Sequence, residues 1–107
     1  MKPLIEITAD KFGDMKKSKY FLLDFYSTEC PNCEKLKPIL ELLNGEFHEK
    51  VLFTKIFRQN NRALAESLDV FSSPTVLFFV DGEEVFRMSG QISKQELKEN
   101  IQKNVSQ

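Results

Sequence analysis

The run Tyr20-Phe21-Leu22-Leu23-Asp24-Phe25-Tyr26 is apolar at odd and even positions alike, save for one carboxylate. Side chains alternate between the two faces of a sheet, so such a run suits a strand covered on both sides, at the middle of a sheet with helices above and below. A chain of 107 residues, 41% hydrophobic and 29% charged, can bury one core of that kind and has no room for a second. One domain over residues 1–107 is expected.

Periodicity extends this reading. Leu4 to Thr8 reads as a short strand, and Asp10 is placed to cap a helix running to about Lys17. From Cys33 to about Glu49, Leu36, Ile39, Leu40, Leu43 and Phe47 recur at three- and four-residue steps and mark one helical face. Pro38 should kink that helix, and Asn44-Gly45 should weaken its last part. Val51 to Phe57 reads as a strand, Arg62 to Leu68 as a short helix and Thr75 to Val80 as a buried strand. Asp81-Gly82 signals a hairpin into a strand at Glu84 to Met88, and Ser93 with Glu96 forms a capping box for a last helix. The expected order is βαβαβαββα, an α/β fold, and ten Phe with no Trp imply an aromatic-rich core.

The net charge of −1, with signs interspersed, gives no basic footprint for nucleic acid. Charges interrupt the first ten residues before an apolar signal region could form, and no run approaches the about 18 apolar residues of a membrane span. A cytoplasmic protein without membrane attachment is expected. That compartment is reducing, and a close cysteine pair there is more often catalytic than structural.

Cys30 and Cys33, the only cysteines, stand as Cys-Pro-Asn-Cys between the apolar strand and the following helix. A disulfide across so short a loop would stabilise the fold by only about 2 kcal/mol, against about 5 for a 100-residue loop, so stapling is a poor reason for the pair. A structural zinc usually takes four Cys or His ligands, and the chain offers this pair and one His. Inert thiols and metal binding are the bland alternatives to redox chemistry. At a helix N-terminus, unpaired amides and the helix dipole favour negative charge, so Cys30 is the expected thiolate, below the free value of about 8.5. Cys33, one turn further in, is placed to resolve a mixed disulfide. Asp24 between Leu23 and Phe25 must be hydrogen-bonded, paired or protonated if buried, and burial should raise its pKa; pointing outward from an edge strand is the alternative. His48, the only histidine, reads as a solvated helix-end residue.

Asp24, Cys30, Cys33, Pro38, Lys55, Ser73-Pro74-Thr75, Asp81-Gly82 and Gly90 together, in order and relative spacing, resemble the thioredoxin family over nearly the whole chain. That resemblance implies the thioredoxin fold, a central mixed five-stranded sheet flanked by helices on both faces. It implies a thiol–disulfide oxidoreductase that reduces protein disulfides, with Cys30 attacking and Cys33 releasing the product. Asp24 would relay the Cys33 proton, and Lys55 on the adjacent strand would modulate its charge, unless Lys55 is only a snorkelling surface lysine. Pro74 would be cis, with the backbone of Ser73 pairing with the substrate chain and Gly90 leaving the groove rim open. Taken alone, Ser-Pro is a turn signal and Gly90 a strand-end glycine. The implied partners are disulfide-containing proteins and a thioredoxin-reductase-like electron donor, with the protein itself a monomer that needs no metal or organic cofactor.

Five positions depart from the family pattern. Glu29 precedes Cys30 where Trp is common, and its carboxylate should oppose thiolate formation and repel acidic partners. Tyr26 stands where the strand often ends in Trp. Pro31-Asn32 replaces Gly-Pro, a pattern closer to glutaredoxin, and Ser73 replaces an apolar residue and makes the groove more polar. Tyr26, Glu29, Pro31, Ser73, Pro74 and Gly90 are therefore the candidate substrate contacts. Two other functions stay open, a glutaredoxin-like reductase linked to glutathione and a binding module that keeps the fold without turnover.

Overall fold

A computed structural model describes residues 1–105. Five strands, β1 (Ile5–Ile7), β2 (Tyr20–Tyr26), β3 (Val51–Phe57), β4 (Thr75–Val80) and β5 (Glu83–Ser89), form one sheet in the order β1-β3-β2-β4-β5. β2 is central, parallel to β3 and antiparallel to β4, while β1 joins β3 in parallel and β5 joins β4 in antiparallel. Four helices, α1 (Phe12–Met15), α2 (Pro31–Phe47), α3 (Arg62–Ser67) and α4 (Lys94–Val105), complete the expected order.

The double-sided character of β2 has the cause its sequence implies. Tyr20 and Leu22 pack with Leu36, Leu40 and Leu43 of α2 and Leu97 and Ile101 of α4, whereas Phe21, Leu23 and Phe25 pack on the opposite face with α3 and, at the margin, Phe12 and Met15 of α1. Each fully buried side chain of this size contributes roughly 1.5–3 kcal/mol relative to exposure. Phenylalanines carry much of both layers: Phe21 stacks on Phe79 at 5.3 Å, and Phe78 on Phe86 at 5.0 Å.

α2 is the element that most affects the site. It starts two residues earlier than its apolar period suggests, at Pro31, because proline at the first helical position sacrifices an amide that has no intrahelical partner there. The helix runs through Pro38 and also through Asn44-Gly45, which the sequence marks as a weak point. Asn44 is buried, and its amide donates to the carbonyls of Lys2 and Pro3 at 3.1 and 3.0 Å. Tertiary bonds and the packing of Leu43 and Phe47 thus outweigh local helix propensity.

The first helix corrects the sequence reading. Asp10 opens no helix to Lys17; it lies inside a 3-10 turn, Ala9–Lys11, where the Thr8 hydroxyl donates to it, and α1 lasts four residues. Elsewhere Asp81 and Gly82 both take positive φ, 52° and 84°, as a two-residue hairpin turn requires. Ser93 caps α4 through the Glu96 amide at 3.3 Å. Among the described residues no helix is long and apolar enough to cross a membrane.

Candidate active site

Cys30 is the N-cap of α2. Its backbone is extended, and its Sγ accepts a hydrogen bond from the Cys33 amide at 3.2 Å. A sulfur in this position takes up one of the orphan donors of the helix and sits at the positive end of its dipole. Cys33 lies one turn on, and the two are joined as a disulfide with Cα atoms 5.2 Å apart.

On its other side Cys30 Sγ lies 3.6 Å from the carbonyl oxygen of Ser73. In the disulfide that sulfur carries no proton, so the contact becomes a hydrogen bond only when Cys30 is a thiol. The Ser73–Pro74 bond is cis, as the resemblance implies. Gly90 donates its amide to the Pro74 carbonyl at 3.1 Å, takes φ 74°, and has no atom within 4 Å of where a Cβ would sit. Half-buried Cys30, Ser73 and Gly90 therefore meet around the buried Pro74 and form one stretch of surface with an open rim. Glu29 precedes it, exposed and in the left-handed region at φ 52°.

Asp24 lies behind this surface. It is 7% exposed, in the central strand rather than at an edge, and its Oδ1 has no hydrogen-bond partner. Burial pushes its carboxyl up to about 7; the Lys55 charge opposes the rise and Glu6 reinforces it. A cavity of about 130 Å³ is lined by Asp24, Tyr26, Cys33, Lys37, Glu41 and Lys55. A carboxyl that titrates near neutrality and the inner cysteine thus open onto the same small space.

Register places Glu6, Lys55 and Asp24 in one row across β1, β3 and β2. Lys55 lies beside Asp24, yet its ammonium makes its ion pair with Glu6, Nζ to Oε1 at 3.9 Å. Both partners of that pair are partly solvated, so its own contribution to stability is small. The Tyr26 hydroxyl shares its proton between the two Glu6 oxygens at 2.8 and 2.7 Å, and the Lys55 ammonium lies 5.5 Å from the Tyr26 ring centroid. Burial and then the Glu6 carboxylate hold the Tyr26 phenol well above its ordinary range. Tyr26 lines the same cavity as Asp24 and Cys33.

Against known proteins, the thioredoxin family model matches residues 3–103. The chain belongs to the thioredoxin family. It is 33% identical over 102 residues to a thioredoxin of Staphylococcus saprophyticus, covering 95% of this chain and 98% of the relative. It is also 33% identical over 108 residues to a thioredoxin of Buchnera aphidicola, covering 99% and 100%. Among solved structures, a mutant thioredoxin from Halobacterium salinarum superposes with a TM-score of 0.86 at 30% identity, covering 95% of this chain and 89% of that one. A thioredoxin from Nicotiana alata gives 0.85 at 27%, covering 95% and 92%.

Membership of the thioredoxin family makes this protein a thiol–disulfide oxidoreductase, and the bonded Cys30–Cys33 pair is the redox group that such chemistry requires. Two residues near that pair escaped the sequence reading. Glu6 carries a weak signal, the alternation Ile5-Glu6-Ile7, but nothing in it reveals the parallel register that aligns it with Lys55. Arg58, whose Nε donates to Ser73 Oγ at 3.0 Å, follows β3 with no local signal at all. His48 lies as expected, exposed at the C-terminus of α2, its Nδ1 3.2 Å from the Asn44 and Gly45 carbonyl oxygens.

Proposed function

We infer that this protein reduces disulfides in partner proteins. The Cys30 thiolate attacks one sulfur of the partner disulfide, forming a mixed disulfide and expelling the other partner sulfur as a thiolate. Cys33 then gives its proton to the Asp24 carboxylate and attacks Cys30 Sγ. The second partner sulfur leaves as a thiolate and takes the proton back from Asp24, and the Cys30–Cys33 disulfide holds the oxidising equivalents. A thioredoxin-reductase-like donor returns two electrons and resets the pair.

One observation carries the division of labour. Cys30 meets the surface at a helix N-terminus beside the Ser73 carbonyl, while Cys33 shares a cavity with a buried carboxyl poised near pH 7. A base of that pKa can accept a proton and return it at neutral pH, which a carboxylate of ordinary pKa does poorly. Lys55 and Glu6 set the charge around Asp24, Tyr26 holds Glu6 in place, and the face formed by exposed Glu29 and Pro31 and half-buried Ser73 and Gly90, with Pro74 buried beneath it, receives the partner chain by strand addition. We place the protein in the reducing cytoplasm, acting as a monomer and as one domain.

Insulin reduction driven by dithiothreitol tests this. Cys30→Ser should abolish the rate enhancement, and Cys33→Ser should accumulate a mixed disulfide through Cys30 with loss of turnover of at least about 100-fold, since release then depends on external thiol. An undiminished rate in Cys30→Ser would exclude the mechanism.

A further inference from the structure

Arg58 opens the 3-10 turn Arg58–Asn60 that follows β3, and its Nε–H is tied to Ser73 Oγ. Ser73 is the residue whose carbonyl lies against Cys30 Sγ, so the guanidinium is linked to the attacking sulfur through a single residue. A guanidinium presents five N–H donors in a rigid fork, and Ser73 occupies one. Among the described residues no carboxylate lies within ion-pair distance of Arg58. Beside it runs a cleft of about 230 Å³ lined by Arg58, Arg62, Ala65, Glu66, Val70 and Phe71. Phe71 stands two residues before Ser73 and is 69% exposed, an aromatic ring left in water at the edge of the same cleft.

We propose that Arg58 is a specificity-determining residue that receives a carboxylate from the partner segment laid along Ser73, with Phe71 covering an apolar side chain next to it. The partner class is a disulfide protein with an acidic residue beside an apolar one on the Ser73 side of the attacked cysteine. The proposal rests on thiol–disulfide exchange at Cys30. Bidentate carboxylate binding suits the free face of the fork, because Ser73 already fixes its Nε edge. With a net charge of −1, the chain has no long-range field that would draw acidic partners in, and exposed Glu29 before Cys30 works against them. Selection by Arg58 is therefore local, a matter of one contact in the bound state.

Three disulfide peptides identical except for Glu, Gln or Lys at that position provide the test, with kcat/KM as the readout. The ratio between peptides cancels any effect of Arg58 on the Cys30 thiolate. In the wild-type protein kcat/KM should fall in the order Glu, Gln, Lys, by about tenfold from first to last at low ionic strength, shrinking to about twofold at 0.5 M salt. Arg58→Gln should level the series, and Arg58→Lys, which keeps the charge without the fork, should retain part of it. Equal values in the wild-type protein, or a preference that survives in Arg58→Gln, overturn the proposal. If a glutathionylated peptide instead loses its advantage in Arg58→Gln while the three peptides stay equal, the carboxylate acceptor serves glutathione, and the protein-segment assignment fails. A wild-type protein that reduces none of the three peptides overturns the exchange reading itself, and this proposal with it.

Discussion

Lys55 faces Asp24 across the β2–β3 register, yet its ammonium makes its ion pair with Glu6 on the far side. The buried carboxyl is left with the field of a cation but not its contact. This arrangement keeps Asp24 titrating near neutrality instead of locked as a carboxylate, and several measurable consequences come from it.

Asp24 should cost stability at alkaline pH. Its carboxyl keeps a proton to about pH 7 in the folded protein but loses it near 3.8 when unfolded. Between those values the native state binds more protons, so stability falls as pH rises. Asp24→Asn should therefore stabilise the protein, with a gain that grows by on the order of 3 kcal/mol from about pH 4.5 to about pH 8. Urea denaturation at the two pH values checks this, and a gain independent of pH would exclude it.

Glu6→Gln removes the like charge and frees Lys55 for Asp24. Both changes favour the ionised form, so the Asp24 midpoint should move to lower pH. The acid limb of the Cys33 resolution rate should move with it. Carboxyl titration by NMR and stopped-flow release of a mixed disulfide would each register the shift, and a midpoint that stays or rises would rule out the coupling.

Glu29 burdens the site twice, by charge and by backbone. Its left-handed conformation costs roughly 1 kcal/mol for a residue with a side chain, so Glu29→Gly should raise the denaturation midpoint modestly. Glu29→Gln keeps the backbone and removes the charge, and should increase the thiolate fraction of reduced Cys30 at mildly acid pH, read by ultraviolet absorbance or alkylation rate.

Asn44 pins the N-terminal segment that delivers Glu6. Asn44→Ala removes two hydrogen bonds to the Lys2 and Pro3 carbonyls from a buried position and should cost about 1–3 kcal/mol. Amide exchange should accelerate first in Ile5 to Ile7, ahead of β2; uniform acceleration over the whole sheet would argue against a local role.

Much of this molecule can be read from its residues because period is a local property. The two-sided apolar pattern of Tyr20–Tyr26 located the central strand to the residue, and the strands Val51–Phe57 and Thr75–Val80 were equally plain. Cys30, Cys33 and Asp24 could be placed because each sits at a marked point of that pattern. What escaped depends on partners distant in the chain. α2 persists through Asn44-Gly45 because of carbonyls some forty residues upstream, Glu6 meets Lys55 only through strand register, and Arg58 matters only because Ser73 comes to rest against it. Asp10 misled for the opposite reason: a good capping residue met a segment that folds into a 3-10 turn before only four helical residues.

The mixed pairing of β2 has a consequence beyond the present partners. Running parallel to β3 and antiparallel to β4, it brings the end of β2, the turn after β3 and the approach to β4 to one rim, so Glu29, Arg58 and Ser73 arrive from three separate stretches of chain. None of the three belongs to either hydrophobic layer, so exchanging their side chains opens no cavity in the core. A scaffold arranged in this way can acquire a new clientele one side chain at a time while its reactive sulfurs and its foundations stay as they are.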